Sequence, residues 1–190
     1  ASDVYKRQFV FIETDEGIIG LGECFRRQPE VTKTVIENIL APALIGKDPV
    51  ETDKRFQEMV NVGNALEIGG AIWIAIAGLD IAMWDIKGKS LNLPIYEILG
   101  GKIQEKMPVY ASSMKRDLEP IEEAKRAVNF AEQGFRAYKL HSAVPGKIDD
   151  ESDQTIETVT EVRRAVGDNY DILVDVNGAY SVHHAIEIVK

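Results

Sequence analysis

The apolar positions of this chain follow two rhythms, one before Gly101 and another after it. Phe9 to Thr14 is apolar and β-prone, Asp15-Glu16-Gly17 supplies a turn, and Ile18 to Glu23 continues as a second strand, so the chain opens on a hairpin. Residues 1–8 add no recognisable element, and we expect the natural N-terminus to be missing or replaced. From Glu30 to Leu44, the residues Val31, Val35, Ile39 and Leu40 recur at helical spacing, and Gly46-Lys47-Asp48-Pro49 ends the run. A second helix is expected from Val50 to Met59, followed by a mobile loop from Val60 to Gly70 that holds Gly63, Asn64, Gly69 and Gly70. Ala71 to Lys87 is alanine-rich and apolar on most of its circumference, which predicts a helix buried between layers and closed by Gly88. Leu93-Pro94-Ile95 starts a short helical piece that Gly100-Gly101 stops.

Beyond Gly101 strands and helices alternate. Val109–Ser112, Ala137–His141 and Asp171–Asn177 read as strands. Pro120–Gln133, Glu151–Val166 and Ser181–Lys190 read as helices, with Ser181 as the N-cap of the last. That order predicts a parallel sheet built from crossover connections. The change of rhythm places a domain boundary between Lys102 and Lys106, giving domains 1–104 and 105–190. The alternation stops after the third strand, so the sheet is expected to be unfinished, with an exposed edge.

Composition narrows the class. With 190 residues, 45% hydrophobic and 28% charged, the chain has enough apolar content to bury a core. Its longest apolar stretch, Ala71 to Met83, is broken by Gly78 and Asp80 and falls short of the roughly 20 residues that cross a bilayer. The first residues lack the order of a signal peptide, so a cytoplasmic location without membrane contact is expected. A single cysteine, Cys24, excludes an internal disulfide framework and a cysteine-built zinc site, and reads as a packing residue. The net charge of −9, with scattered Lys and Arg, argues against nucleic acid as a partner. An anionic substrate would need a metal ion or local lysines to attract it.

In β/α folds ligands gather beyond the carboxyl ends of the strands, and polar residues there are the candidates for chemistry. Lys139 and His141 close one predicted strand, two residues apart and therefore on one face. Asp175 and Asn177 close the next with the same spacing, 36 residues after Lys139. Adjacent parallel strands would bring both pairs into one cup. A carboxylate beside a lysine and an imidazole suits abstraction of a proton next to a substrate carboxylate. Asp175 offers a hard oxygen to Mg²⁺, and Lys139 or His141 serves as the base. Each residue also has a bland reading: Asp175 as a cap for the next helix, Lys139 reaching solvent, His141 as packing. Their coincidence is what favours a site.

Other motifs carry less. Gly20-Leu21-Gly22 lacks the third glycine of a dinucleotide fingerprint and reads as strand punctuation. His183 and His184 are helical neighbours pointing about 100° apart. Asp80 and Asp85 read as partners for nearby backbone or basic groups, and Glu122-Glu123 with Lys125-Arg126 as a solvated face.

The run Gly78-Leu-Asp-Ile-Ala-Met-Trp-Asp-Ile-Lys-Gly-Lys89, followed by Leu93-Pro-Ile-Tyr-Glu-Ile-Leu-Gly-Gly101 and Pro108-Val-Tyr-Ala-Ser112, resembles the mandelate racemase and muconate lactonizing enzyme family of the enolase superfamily. The likeness extends over nearly the whole chain from Phe9. It implies an N-terminally truncated α+β capping domain followed by the first part of a (β/α) TIM-type barrel, three of its eight strands. By position, Lys139 matches the first lysine of the family's Lys-x-Lys motif and His141 stands where the second lysine usually does. Asp175 matches the first of three carboxylate metal ligands, for Mg²⁺, and Asn177 a ligand-contacting position. Val60 to Gly70 resembles one of two specificity loops.

His141 in place of lysine leaves the base on that face open. The remaining ligands and the opposing acid or base would lie beyond Lys190, and the first capping strand before Phe9. The 190-residue chain is therefore expected to be inactive and not stably folded alone. The resemblance implies a small carboxylate substrate, an acid sugar or hydroxy acid, and a homo-oligomeric parent. Sugar-acid dehydration is the leading expectation, with racemisation, epimerisation or cycloisomerisation as alternatives. A non-catalytic remnant of the fold is the reading from another class.

Overall fold

A computed structural model describes residues 8–26, 28–64, 69–143 and 146–189. The chain divides into two units, residues 1–103 and 104–190.

The first unit opens with the antiparallel hairpin of β1 (Gln8–Glu13) and β2 (Ile19–Cys24), in a register that sets Phe11 opposite Leu21. Val10 and Cys24 turn inward and are buried, while Phe9, Phe11, Ile19 and Leu21 stay exposed on the other face. Against the inner face lies the long helix α4 (Gly70–Leu91). Contact here is backbone to backbone: a Cβ on Gly20 would sit 2.2 Å from the Ala82 carbonyl oxygen, and one on Gly22 would sit 1.9 Å from that of Gly78. Gly78 in turn makes room for the Cys24 thiol. The two strand glycines thus allow close helix–strand approach, which adds a reason to their reading as punctuation. Asp85 on α4 accepts the Leu21 N–H at 2.8 Å, and Lys89 donates to the Ile19 carbonyl at 2.6 Å, so two helix side chains satisfy backbone groups of β2.

The first helical run is split into α1 (Pro29–Val35), a π segment (Ile36–Leu40) and α2 (Ala41–Leu44). Pro42 has no N–H to give to the preceding turn, and a π bulge absorbs that break. Helix α3 spans Thr52–Asn64, longer than the pattern predicts. The expected loop from Val60 to Gly70 is corrected accordingly: Val60 to Asn64 continue the helix, Gly70 begins α4, and residues 65–68 lie outside the described residues. Gly88 likewise does not close α4. The helix runs on to Leu91, and Asn92 ends it in the left-handed region, with the Leu93 N–H returning to the Gly88 carbonyl at 2.9 Å. Gly88 is small because Leu93 and Ile95, the first residue of α5 (Ile95–Ile98), pass over it. Leu40, Met59, Ile76 and Met83 form the centre of this unit's core. None of the helices described is long and apolar enough to cross a membrane.

The second unit is a parallel sheet in the order β3 (Ala111–Ser112), β4 (Ala137–Leu140), β5 (Asp171–Val174), with helices α6 (Pro120–Glu132), α7 (Thr155–Val166) and α8 (Val182–Ile188) following the three strands in turn. Alternation along β4 sends Tyr138 and Leu140 into a core with Ala124, Ala127 and Val162, and leaves Lys139 on the opposite face. The strands are shorter than their apolar runs: pairing stops at Ser112, Leu140 and Val174. His141, Asp175 and Asn177 therefore lie just past the ladder. Asp175 and Asn177 do not share a pleat face as the spacing implied. Asn177 sits at φ 50°, turned back by its N–H bond to the Asp175 carboxylate.

Architecture and sequence agree at the level of class, an α+β layer followed by successive β/α units.

Candidate functional site

The carboxyl ends of β3, β4 and β5 meet at one place because the three strands are adjacent and in register, Ser112 beside Lys139 and Lys139 beside Leu173. The Asp175 N–H extends the ladder by one bond, to the Leu140 carbonyl at 3.0 Å, which carries its side chain to the end of β4.

There Lys139 Nζ lies 3.2 Å from Asp175 Oδ2, and His141 Nε2 lies 3.4 Å from the same oxygen. The other carboxylate oxygen, Oδ1, accepts the Asn177 backbone N–H at 3.0 Å and its side-chain amide at 2.8 Å. The Asn177 N–H, followed by the Lys139 ammonium, holds the Asp175 carboxyl below the ordinary carboxylate range, so it is ionised at neutral pH. Lys139 also stands 5.7 Å over the ring of Tyr110.

His141 is 5% exposed. Its Nδ1 bonds to the Ser113 carbonyl, an acceptor only, so Nδ1 carries a proton, and Nε2 faces Asp175. Ser113 is fixed by its own N–H, which reaches the Lys139 carbonyl at 2.8 Å. The loop after β3 thus orients the imidazole at the end of β4.

All four residues singled out from the sequence are gathered here. Lys139 and His141 converge on Asp175, and Asn177 is bound to Asp175 rather than to the other two. Sequence reading passed over three supports. Ser113 acts through its carbonyl, which no side-chain pattern reveals. Glu123, read as part of a solvated face, is buried and accepts the Tyr138 hydroxyl at 2.6 Å. Its position on α6, one residue before Ala124 and four before Ala127, already places it on the apolar side of the helix. Tyr180 donates to Asp153, a link between residues 27 apart that the sequence does not signal.

Asp175 presents hard, ionised oxygen, which fits a divalent cation such as Mg²⁺ as one donor. Among the described residues no three His, Cys, Asp or Glu side chains come together as a metal cluster.

Residues 2–100 match the family model described as mandelate racemase / muconate lactonizing enzyme, N-terminal domain, and residues 119–190 match that of the enolase C-terminal domain-like family. A D-galactonate dehydratase of Verminephrobacter eiseniae (strain EF01-2) is 35% identical over 187 residues, covering 96% of this chain and 48% of that protein. The D-galactonate dehydratase of Klebsiella pneumoniae (strain 342) is 35% identical over 186 residues, with the same coverage. Among solved structures, a member of the enolase superfamily from Polaromonas sp. JS666 superposes with a TM-score of 0.84 at 34% identity, over 96% of this chain and 48% of that one. A racemase from Streptomyces coelicolor A3(2) with bound magnesium superposes with a TM-score of 0.86 at 29% identity, over 95% and 49%. The chain spans about half the length of the curated relatives it matches.

Proposed function

Because this chain belongs to the mandelate racemase / muconate lactonizing enzyme family of the enolase superfamily, we propose that it supplies one side of the active site of a Mg²⁺-dependent sugar-acid dehydratase. The observation that carries this reading is the convergence of Lys139 and His141 on a single oxygen of Asp175.

In this reading His141 is the base. The Ser113 carbonyl keeps its proton on Nδ1, which leaves Nε2 free to take the proton α to the substrate carboxylate. Lys139 places a positive charge beside that carboxylate and helps draw an anion to a chain of net charge −9. Asp175 would hold the metal, with Asn177 keeping the carboxylate ionised and aimed. Mg²⁺, when bound, supplies Lewis-acid stabilisation of the charge that develops on the substrate carboxylate as the proton leaves.

Likeness to the D-galactonate dehydratases supports a sugar acid as substrate and loss of the β-hydroxyl as the outcome. Likeness to the magnesium-bound racemase, and to a 3,6-anhydro-D-galactonate cycloisomerase from Zobellia galactanivorans at 32% identity, supports a second reading in which the same proton is removed and the product is an isomer. The test uses the protein expressed at its natural length, incubated with Mg²⁺ in D₂O with a panel of acid sugars, D-galactonate first. A 2-keto-3-deoxy product that has lost the α-proton and carries one deuterium at C3, taken up as the enol ketonises, is the result expected. Deuterium at the α-position of an epimer, with no keto product, supports the isomerase, and neither turnover nor exchange on any member of the panel overturns both.

A further inference from the structure

The loops that carry the site are tied together behind it. Ser142, next to His141, has its hydroxyl 2.5 Å from that of Thr155 at the start of α7. The Thr155 hydroxyl donates to Asp153 Oδ1 at 2.7 Å, and the Thr155 N–H reaches the same oxygen at 3.1 Å. The second oxygen, Oδ2, accepts the hydroxyl of Tyr180, whose oxygen also stands 2.7 Å from that of Thr155. Tyr180 lies in the segment between Asp175 and α8. One proton assignment joins them: Ser142 gives to Thr155, Thr155 to Asp153 Oδ1, and Tyr180 shares its single proton between Asp153 Oδ2 and the Thr155 oxygen. A second tie runs beside it, with the Asp149 N–H on the Ala179 carbonyl at 2.9 Å and the Ser181 N–H on the Asp149 carboxylate at 2.8 Å.

We propose that Tyr180 is a positioning residue, which clasps the segment after β5 to the one after β4 and so fixes the separation of His141 from Asp175. This rests on the reading of those two residues as base and metal ligand. Asp153 is the hub, since its carboxylate receives hydrogen bonds from both segments. Removing the Tyr180 hydroxyl leaves the segment that bears Asp175 attached through Asp149 alone among these side chains, and it loosens the stretch between Asp175 and Ser181. Misplacing reacting groups by a fraction of an ångström to an ångström is enough to slow a reaction without abolishing binding.

The experiment compares Tyr180→Phe and Ser142→Ala with Tyr170→Phe in the protein at its natural length. Tyr170 is a control in the same unit, because its buried hydroxyl meets no hydrogen-bond partner among the described residues. Two quantities are read: the ¹⁵N–¹H resonances of the His141 imidazole at one pH, and α-proton exchange. Tyr180→Phe and Ser142→Ala are expected to shift the His141 resonances and to lower kcat about tenfold, with KM changed less than about twofold. Tyr170→Phe is expected to leave both as in the wild type. Unshifted His141 resonances in Tyr180→Phe and Ser142→Ala overturn the proposal, as does a failure of both to fold, which would make the clasp purely structural. Where only one folds, that variant decides. If the wild type neither turns over nor exchanges the α-proton of any acid sugar, the proposed function fails while the His141 resonances still judge the clasp.

Discussion

Glu123, on the inner face of α6, accepts the hydroxyl proton of Tyr138 from the centre of β4 at 2.6 Å, and both side chains are closed off from solvent. The pair anchors the helix to the strand that holds Lys139 on its other face. Burial first, and the Glu123 carboxylate second, push the Tyr138 phenol up to about 12 from its ordinary 10.0. A phenol whose pKa is raised on folding contributes fully below its unfolded value and loses that contribution as pH climbs through the folded one. Stability should therefore fall between about pH 10 and pH 12, with Tyr180, also raised to about 12 by burial and Asp153, acting in the same window. Urea unfolding at stepped alkaline pH should show this fall in the wild type and a shallower one in Tyr138→Phe.

At neutral pH, Tyr138→Phe should itself cost about 2 kcal/mol, because it strands a buried carboxylate oxygen that has no second close donor among the described residues. Arg126, 4.0 Å from the other oxygen, is too distant to replace the bond. Chemical denaturation at pH 7 measures the loss directly.

Gly22→Ala should be the more damaging of two glycine substitutions in the hairpin. Its new methyl would overlap the Gly78 carbonyl oxygen, a backbone atom that moves only with α4, at a cost of about 3 kcal/mol. Gly17→Ala meets nothing within 4 Å and carries only the strain of its φ of 77°, about 1 kcal/mol. Thermal unfolding of the two variants side by side gives the order.

Asp85 should govern part of the acid limb. Burial works to raise its carboxyl, but the Lys89 ammonium and the Leu21 N–H outweigh that and hold it low. A carboxylate with a depressed folded pKa contributes above its unfolded value and loses the contribution as pH falls through the folded one. Melting temperatures of the wild type should drop below about pH 4, and Asp85→Asn should be less stable at neutral pH yet flatter across the acid range.

His141→Asn should lower α-proton exchange by about 10² to 10⁴, the span that a general base supplies, while Mg²⁺ binding persists. Chelation should abolish exchange in the wild type, and added Mg²⁺ should restore it. Calorimetric titration with Mg²⁺ separates loss of the base from loss of the metal, which Asp175→Asn should weaken.

The residues proposed to carry the chemistry are legible because strand ends are marked twice in the sequence, by an apolar run and by the polar residues that stop it. Lys139, His141 and Asp175 all carry that mark, and the structure places them within hydrogen-bonding or ion-pairing reach. Asn177 carries the same mark but its setting is not legible, since a period of two says nothing about where a ladder ends and a turn takes over. Helix ends were misjudged for a related reason. Gly88 looked like a stop, yet its smallness answers the passage of Ile95 over it, a tertiary demand invisible along the chain. Ser113 and Tyr180 act across 28 and 27 residues, through a carbonyl and through a hydroxyl, and no local pattern announces either.

The glycines of β2 have a further consequence, for alignment. They alternate with Ile19 and Leu21, so a slip of the strand by one residue would drive a branched side chain into the carbonyl row of α4 where only hydrogen fits. A slip by two would move Cys24 into the place of Gly22. The hairpin therefore has a single permitted phase against its helix, enforced by exclusion rather than attraction, and misaligned forms are eliminated by steric collision before any favourable contact has to choose among them.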